Sequence, residues 1–300
     1  MPDIATTAEK KIKSILGRIN NLPTPPIVFA QVNKVLNDPD TSAYQIGAIL
    51  SEDPALSAKI LKMTNSAFYG LSRAVTSVKQ AIVILGLDAV KSLVLSASVF
   101  ETFARHYKID RAYLDQFWRH SLQVAFMARV ISRTKNFPSF LEAEESFSAG
   151  LLHDIGRLVI FAHLPEDFAK ISACAGKLHG LRLAKVEEEI LGFDHAAVGG
   201  LLCLKWNLPQ GLGEAISNHH QPENTPDNLT THIIHVADYL AWKATLIGDT
   251  ADENDLELPE KCELSWTKLN LAEAQEANLV ETLLAEYGKA ETFLKMAQGG

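Results

Sequence analysis

Ser42-Ala-Tyr-Gln45, Asp53-Pro54 and Ser77-Val-Lys-Gln80 each spell out the start of a helix, and apolar residues follow each at three- and four-residue steps. The two Ser-x-x-Gln units are capping boxes, in which the serine and glutamine side chains satisfy free amides of the first turn. Asp53 offers a cap ahead of a proline, whose missing N–H is no loss at the first helical position. The apolar stripes run Val28, Val32, Val35, Leu36, then Ile46, Ile49, Leu50, then Leu56, Ile60, Leu61. Further along, helices are expected over Ala81–Leu85, ended by Gly86, and over Ala89–Phe103, capped by Asp88. They continue over Tyr113–Arg133, Ala143–His163, Phe168–His179, Arg182–Leu191, His195–Trp206, Leu212–His219, Thr230–Leu246 and Leu271–Ala297. The last has Leu279, Leu283 and Leu284 on one face. No stretch alternates with a two-residue period between turn residues, so the expected fold class is all-α.

A chain of 300 residues that is 47% hydrophobic can bury a substantial core and is not disordered as a whole. Its 28 basic and 36 acidic residues leave a net charge of −8, which argues against nucleic-acid or anionic-membrane partners. Cys174, Cys203 and Cys262 form no C-x-x-C pair and are too scattered for a disulfide framework. The N-terminus lacks a basic segment followed by an apolar run, and Ala81–Phe100 is broken by Asp88 and Lys91 before it could span a bilayer. The expected compartment is the cytoplasm. A change of style near Ala104–Asp110 and an acidic linker, Gly248–Glu260, divide the chain into an N-terminal helical lobe (1–105), a histidine-bearing bundle (106–247) and an extension (248–300).

Chemistry concentrates on histidine. His153 and Asp154 are adjacent in Gly150-Leu-Leu-His-Asp-Ile-Gly-Arg157. Neighbours on a helix point about 100° apart, so both reach one cation only where it lies beyond their shared edge. His120, His195, the pair His219-His220 and Asp238 stand at helix ends or on apolar helices, from which all could converge on a bundle interior. Mixed imidazole and carboxylate donors suit a divalent transition metal, Fe or Mn ahead of Zn or Mg, as one or two ions. Such ions, bridged by Asp154, would acidify water and polarise phosphoryl oxygens. Asp154 and Arg157 are then the candidate catalytic pair, since Arg157, three positions on, can grip a substrate phosphate.

In that order, His120, His153-Asp154, His195, His219-His220 and Asp238 resemble the HD superfamily of metal-dependent phosphohydrolases. Leu22-Pro-Thr-Pro-Pro26, Ser51-Glu-Asp-Pro-Ala-Leu-Ser-Ala-Lys-Ile-Leu61, Asn65-Ser-Ala-Phe-Tyr69 and Val78-Lys-Gln-Ala-Ile-Val-Ile-Leu-Gly-Leu87 resemble its HDOD branch, over roughly residues 19–247. The resemblance implies an HD-domain-like helical bundle with a small N-terminal lobe. It also implies a bacterial signalling or regulatory module that works through contacts with signalling proteins. The retained ligand set implies a kept metal site, His120, His153, Asp154, His195, His219, His220 and Asp238, close to that of HD-GYP phosphodiesterases. The alternative it carries is a metal-dependent phosphohydrolase acting on a phosphorylated small molecule, a nucleotide or cyclic dinucleotide. The chain departs from HD-GYP enzymes in reading Gln221-Pro-Glu-Asn-Thr-Pro226 where they carry Gly-Tyr-Pro. It also has Arg157 and Ala241 where lysine is common.

Other residues take ordinary roles. His106, His163, His179 and His232 read as hydrogen-bonded core or surface histidines, Asp194 as a helix cap, and Cys203 as core. His235, three before Asp238, is either a partner supporting the site or one half of an ion pair. Phe68 and Tyr69 read as packing between lobes, Asp38-Pro-Asp40 as a turn.

Overall fold

A computed structural model describes residues 12–19, 22–36, 42–67, 69–107, 109–134, 140–176, 178–248 and 258–298. The turn at Asp38–Asp40, Phe68, the His106 side chain and residues 249–257 of the acidic linker lie outside this description. All regular structure among the described residues is helical. The first helical stretch covers residues 12–18 (α1). There follow α2 (Ile27–Leu36), α3 (Ala43–Ser51), α4 (Pro54–Thr64), α5 (Val78–Leu85) and α6 (Leu87–His106). The bundle holds α7 (Arg111–Thr134), α8 (Phe140–Leu152), α9 (Ile155–His163), α10 (Pro165–Ala175), α11 (Gly180–Leu191), α12 (His195–Lys205), α13 (Gln210–Asn218) and α14 (Leu229–Gly248). A short α15 (Glu263–Lys268) and a long α16 (Glu273–Gln298) complete the chain. No described helix is long and apolar enough to cross a membrane.

The capping signals act as their chemistry dictates. Ser42 Oγ accepts from the Gln45 amide, and Gln45 Oε1 accepts from the Ser42 amide at 2.8 Å, a complete box. Asp53 accepts from the Leu56 amide at 2.9 Å with Pro54 in the first turn. At Ser77 only half the box forms, because Gln80 Oε1 accepts from the Thr76 amide instead. Gly86, at φ 90°, turns the chain within one residue, so α6 begins at Leu87. Asp88 therefore stands inside the first turn, where its charge meets the positive end of the helix, and is not the cap.

The expected helix over Ala143–His163 is two helices. It breaks at His153-Asp154, which form a turn between α8 and α9. Packing explains the break. A Cβ on Gly156 would sit 2.0 Å from the His195 carbonyl oxygen, so only glycine lets α9 lie directly against the start of α12.

One contiguous apolar core runs from Ile15 to Phe293. In it α7 packs on α8, α14 and α16, while α16 also reaches α4 and α6 and so ties the N-terminal helices to the bundle. Phe293 lies edge-on to Phe126 and Phe147. On α16, Leu279 and Leu283 are buried, whereas Leu284 is 37% exposed and lies at the margin of the expected face. The far end of the acidic stretch is not a solvated linker either, since Pro259 is buried.

Candidate metal centre

Five of the candidate ligands lie at three helix ends that meet. His153 and Asp154 occupy the α8–α9 turn, His195 is the first residue of α12, and His219-His220 follow α13. Asp194 caps α12 by accepting from the Ala197 amide at 2.7 Å, which orients His195 inward. His120 and Asp238 project from within α7 and α14, which pack together.

The side chains form two adjoining groups, Asp154 with His195, His219 and His220, and His120 with His153 and Asp238. In each, the ligand atoms lie within 4.8 Å of one another. Asp154 Oδ1 is 3.0 Å from His195 Nε2, 3.6 Å from His153 Nε2 and 3.7 Å from His219 Nε2. Asp238 Oδ1 is 3.0 Å from His120 Nε2 and 3.8 Å from His153 Nε2, so His153 joins the groups. His220 Nε2 faces His195 Nε2 at 2.9 Å. Arg157 Nη1 pairs with Asp154 Oδ2 at 3.1 Å, which leaves Oδ1 to the imidazoles.

The second ring nitrogens decide what the inward ones can do. His153 Nδ1 is 2.7 Å from the Gly150 carbonyl and His219 Nδ1 2.7 Å from the Ile216 carbonyl. A carbonyl only accepts, so each proton sits on Nδ1 and each Nε2 presents a lone pair. The inward Nε2 atoms of His120, His153 and His219, together with Asp238 Oδ1, are buried without a hydrogen-bond partner. His120 and Asp238 are close but misaligned for a hydrogen bond. Acceptors facing acceptors in a dry interior repel unless a cation lies among them. Atoms about 2.1 Å from a common ion stand about 3.0–3.4 Å apart, close to the separations found here. The residues therefore fit a divalent metal of the imidazole–carboxylate class.

Burial sets the protonation. It pushes His153 down to about 4, outweighing Asp154 and Asp238. Burial together with the charges of His219 and His195 pushes His220 well below the usual imidazole range. Burial alone would raise Asp154, but His153, His195 and Arg157 hold it well below the ordinary carboxylate range. Asp238 is likewise lowered, by His120 and His153 against burial. His195 is opposite: burial pulls it down, yet Glu187 and Asp154 on either side lift it to about 10.

Glu187 escaped the sequence reading. Its buried carboxylate on α11 accepts from the His195 backbone amide at 2.7 Å and faces His195 Nδ1 at 2.6 Å. The available signal was a glutamate on the same helical face as Leu183, Ala184 and Leu191, all buried. Trp242, one turn after Asp238, was also missed. Its indole lies 4.5 Å from the His120 ring and stacks on His179 at 3.5 Å. His179 is thus part of the rim, and burial and Arg157 push it down to about 4. His235 takes the first of its two expected readings, a partner supporting the site: Nδ1 bonds to the His219 carbonyl at 2.9 Å, fixing the backbone of a candidate ligand. His232 bonds to Ser265 Oγ, and Cys203 is core, its thiol pushed up to about 12 by burial.

A groove of about 510 Å³ between α7, α14 and α16 touches Arg119, His120, Gln123 and Trp242. Both His120 nitrogens stay buried beneath it, so it does not open onto the ligand atoms.

Comparison with known proteins places these observations. The model of the HDOD domain family matches residues 22–222. An "Uncharacterized protein" of Treponema pallidum (strain Nichols) is 24% identical over 97% of the chain, and the chain spans about half that relative's length, 54%. Among solved structures, the "Putative phosphohydrolase" from Shewanella amazonensis SB2B is 26% identical, with a TM-score of 0.73 over 95% of this chain and 98% of that one. An HDOD domain protein with unknown function from Geobacter sulfurreducens has a TM-score of 0.75 at 22% identity, covering 98% of each chain.

Proposed function

The chain belongs to the HDOD domain family, and from that premise we propose that it is a regulatory module of bacterial signalling that keeps an HD-type metal centre and acts through contacts with signalling proteins in the cytoplasm. The observation that carries the metal centre is the convergence of both ligand groups with buried, unpartnered lone pairs directed between them. The ligands are His120, His153, Asp154, His195, His219, His220 and Asp238, for one or two ions, Fe or Mn ahead of Zn or Mg. Asp154, nearest the imidazoles, would be a central ligand of the metal; Arg157 fixes the orientation of its carboxylate, Glu187 holds the Nδ1 side of His195, and His235 steadies His219. Support for protein contacts comes from the N-terminal lobe, where Ile27, Tyr44 and Val83 are 77%, 72% and 74% exposed.

A second reading, a phosphohydrolase acting on a nucleotide or cyclic dinucleotide, is favoured by the two adjoining ligand groups joined through His153 and by the likeness to the Shewanella protein. Divalent cations at the centre would supply Lewis acidity toward a phosphoryl oxygen. Arg157, engaged with Asp154, would hold that carboxylate in place and is not poised as an independent phosphate clamp.

Elemental analysis of the purified chain, followed by a phosphodiester and phosphomonoester panel, tests both. Bound transition metal with turnover no higher than that of His153→Ala and Asp154→Ala supports the module. Turnover lost in both variants favours the enzyme. A chain that takes up no transition metal overturns both readings.

A further inference from the structure

One face of the ligand cluster is covered by a stretch of chain outside the helical bundle. Gly180, His220, His235 and Asp238 surround a void of about 10 Å³ there, and Pro259 and Glu260 form its remaining wall. A space of that size holds at most one water. No phosphate group can reach the cluster from this side while these two residues stay in place.

The segment Leu258–Cys262, just ahead of α15, is held at three points. The Cys262 amide donates to His235 Nε2 at 3.1 Å, and Nδ1 of the same ring bonds to the His219 carbonyl, so the segment is hydrogen-bonded through one imidazole to the backbone of a ligand. Glu260 Oε1 lies 3.3 Å from Arg182 Nε. Pro259 packs onto Gly180, which is at φ +61° and where an added Cβ would come within 2.9 Å of the proline ring. Only glycine both adopts that backbone and admits the approach.

Glu260 is the informative residue. Its other oxygen, Oε2, is buried without a hydrogen-bond partner, in the wall shared with Asp238 and His220. Desolvating a carboxylate oxygen with nothing to bind is costly unless positive charge lies nearby. Arg182 supplies that charge on one side, and a cation held by the ligands would supply it on the other. An anionic ligand of such a centre would meet the same surroundings, a guanidinium beside the candidate ligands and a space filled by an oxygen.

We propose that Leu258–Cys262 is an autoinhibitory strap, in which the Glu260 carboxylate stands in for an anionic ligand of the metal centre, and that a phosphate-bearing ligand enters only when the strap lifts. The stand-in role rests on the metal-centre reading above, whereas the covering of His235 does not. A tethered competitor lowers the apparent affinity of the free ligand by the fraction of time the site is open. A strap closed nine-tenths of the time therefore weakens binding about tenfold.

Two readouts on the full chain separate the parts. In metal-free protein, carbethoxylation of His235 by diethylpyrocarbonate, followed by peptide mass spectrometry, reports the cover. It is expected to be slow in the wild type and about tenfold faster in Cys262→Pro, which removes the amide donor. The double variant Arg182→Ala/Glu260→Ala should show the same rise with an unchanged circular dichroism spectrum. In Mn-loaded protein, calorimetric titration with inorganic phosphate should show about tenfold tighter binding to Glu260→Ala than to the wild type. Equal His235 reactivity in the wild type and both strap variants overturns the strap. Phosphate affinity unaltered by Glu260→Ala overturns the stand-in. A chain that takes up none of manganese, iron, zinc or magnesium defeats the metal reading and with it the stand-in, while the His235 rates still judge the cover.

Discussion

Charged side chains are buried both in the seam between α7 and α8 and in the ligand cluster, and the two regions neutralise them in different ways. At the seam Arg129 Nη2 lies 2.6 Å from Glu144 Oε1, and the guanidinium also sits over the rings of Tyr69 and Phe147. Burial raises Glu144 above the usual carboxylate range, against the pull of Arg129 and Arg133, but the opposite charge is present in the chain. In the cluster, His153 Nε2 and Asp238 Oδ1, both acceptors, face one another at 3.8 Å and are buried without a hydrogen-bond partner. A buried pair that supplies its own counter-charge is structure, and a buried set of acceptors that does not is a receptor for a cation. The two regions should therefore fail in different ways when disturbed.

The largest effect is expected at Asp154, whose Oδ1 lies 3.0–3.7 Å from three imidazoles. Asp154→Ala should weaken metal binding by more than about 100-fold, so that dialysed protein carries no stoichiometric metal. Full metal content in this variant would place the ion elsewhere. Next, Arg129→Met leaves Glu144 buried without its nearest cation and should destabilise the fold by about 3–5 kcal/mol in urea unfolding, with the metal content of the folded protein unchanged. Metal loss in that variant would mean that the two regions are coupled. A smaller effect is expected from Glu187→Gln. The amide still fills the space but no longer carries the charge that supports His195, and affinity should fall by about 10- to 100-fold, read by competition with a chelator. Unaltered affinity would reduce Glu187 to packing.

What the chain encodes locally is legible in its sequence, and what depends on remote packing is not. Helix starts at Ser42, Asp53, Ser77 and Asp194 were legible because a cap acts over three residues of chain. Candidate ligands were legible because histidine and aspartate interrupt apolar helices at positions that a solvated face does not need. The turn at His153-Asp154 was hidden, since Leu151, Leu152, Ile155, Leu158 and Val159 continue an apolar stripe across it and periodicity does not register a backbone break. Glu187 lies eight residues from the imidazole it supports, with a loop between. Pro259 and Glu260 stand beside His235 and Asp238 although they are the last residues of an acidic stretch whose composition reads as linker. Their positions depend on packing between remote elements, which local pattern does not encode.

Glu276 on α16 offers the mildest test, because it is a self-neutralised pair of the seam's kind placed next to the strap. Lys243, Lys261 and the Tyr239 hydroxyl all bond to its carboxylate, the last two at 3.2 Å. Burial would raise its pKa, but the two lysines bring it below its usual value of 4.5. A carboxylate lowered on folding stabilises the folded state above its unfolded pKa, and that contribution is lost as pH falls through the lower folded value. Glu276→Gln should therefore cost about 1 kcal/mol at pH 7 in urea unfolding. The difference from wild type should begin to close once the pH drops below about 4.5. A constant difference across that range would assign the effect to packing of α16 and not to charge. Lys261 lies within the strap, between Glu260 and Cys262, so the same variant should also raise His235 carbethoxylation, by less than Cys262→Pro does, because the amide donor to His235 remains.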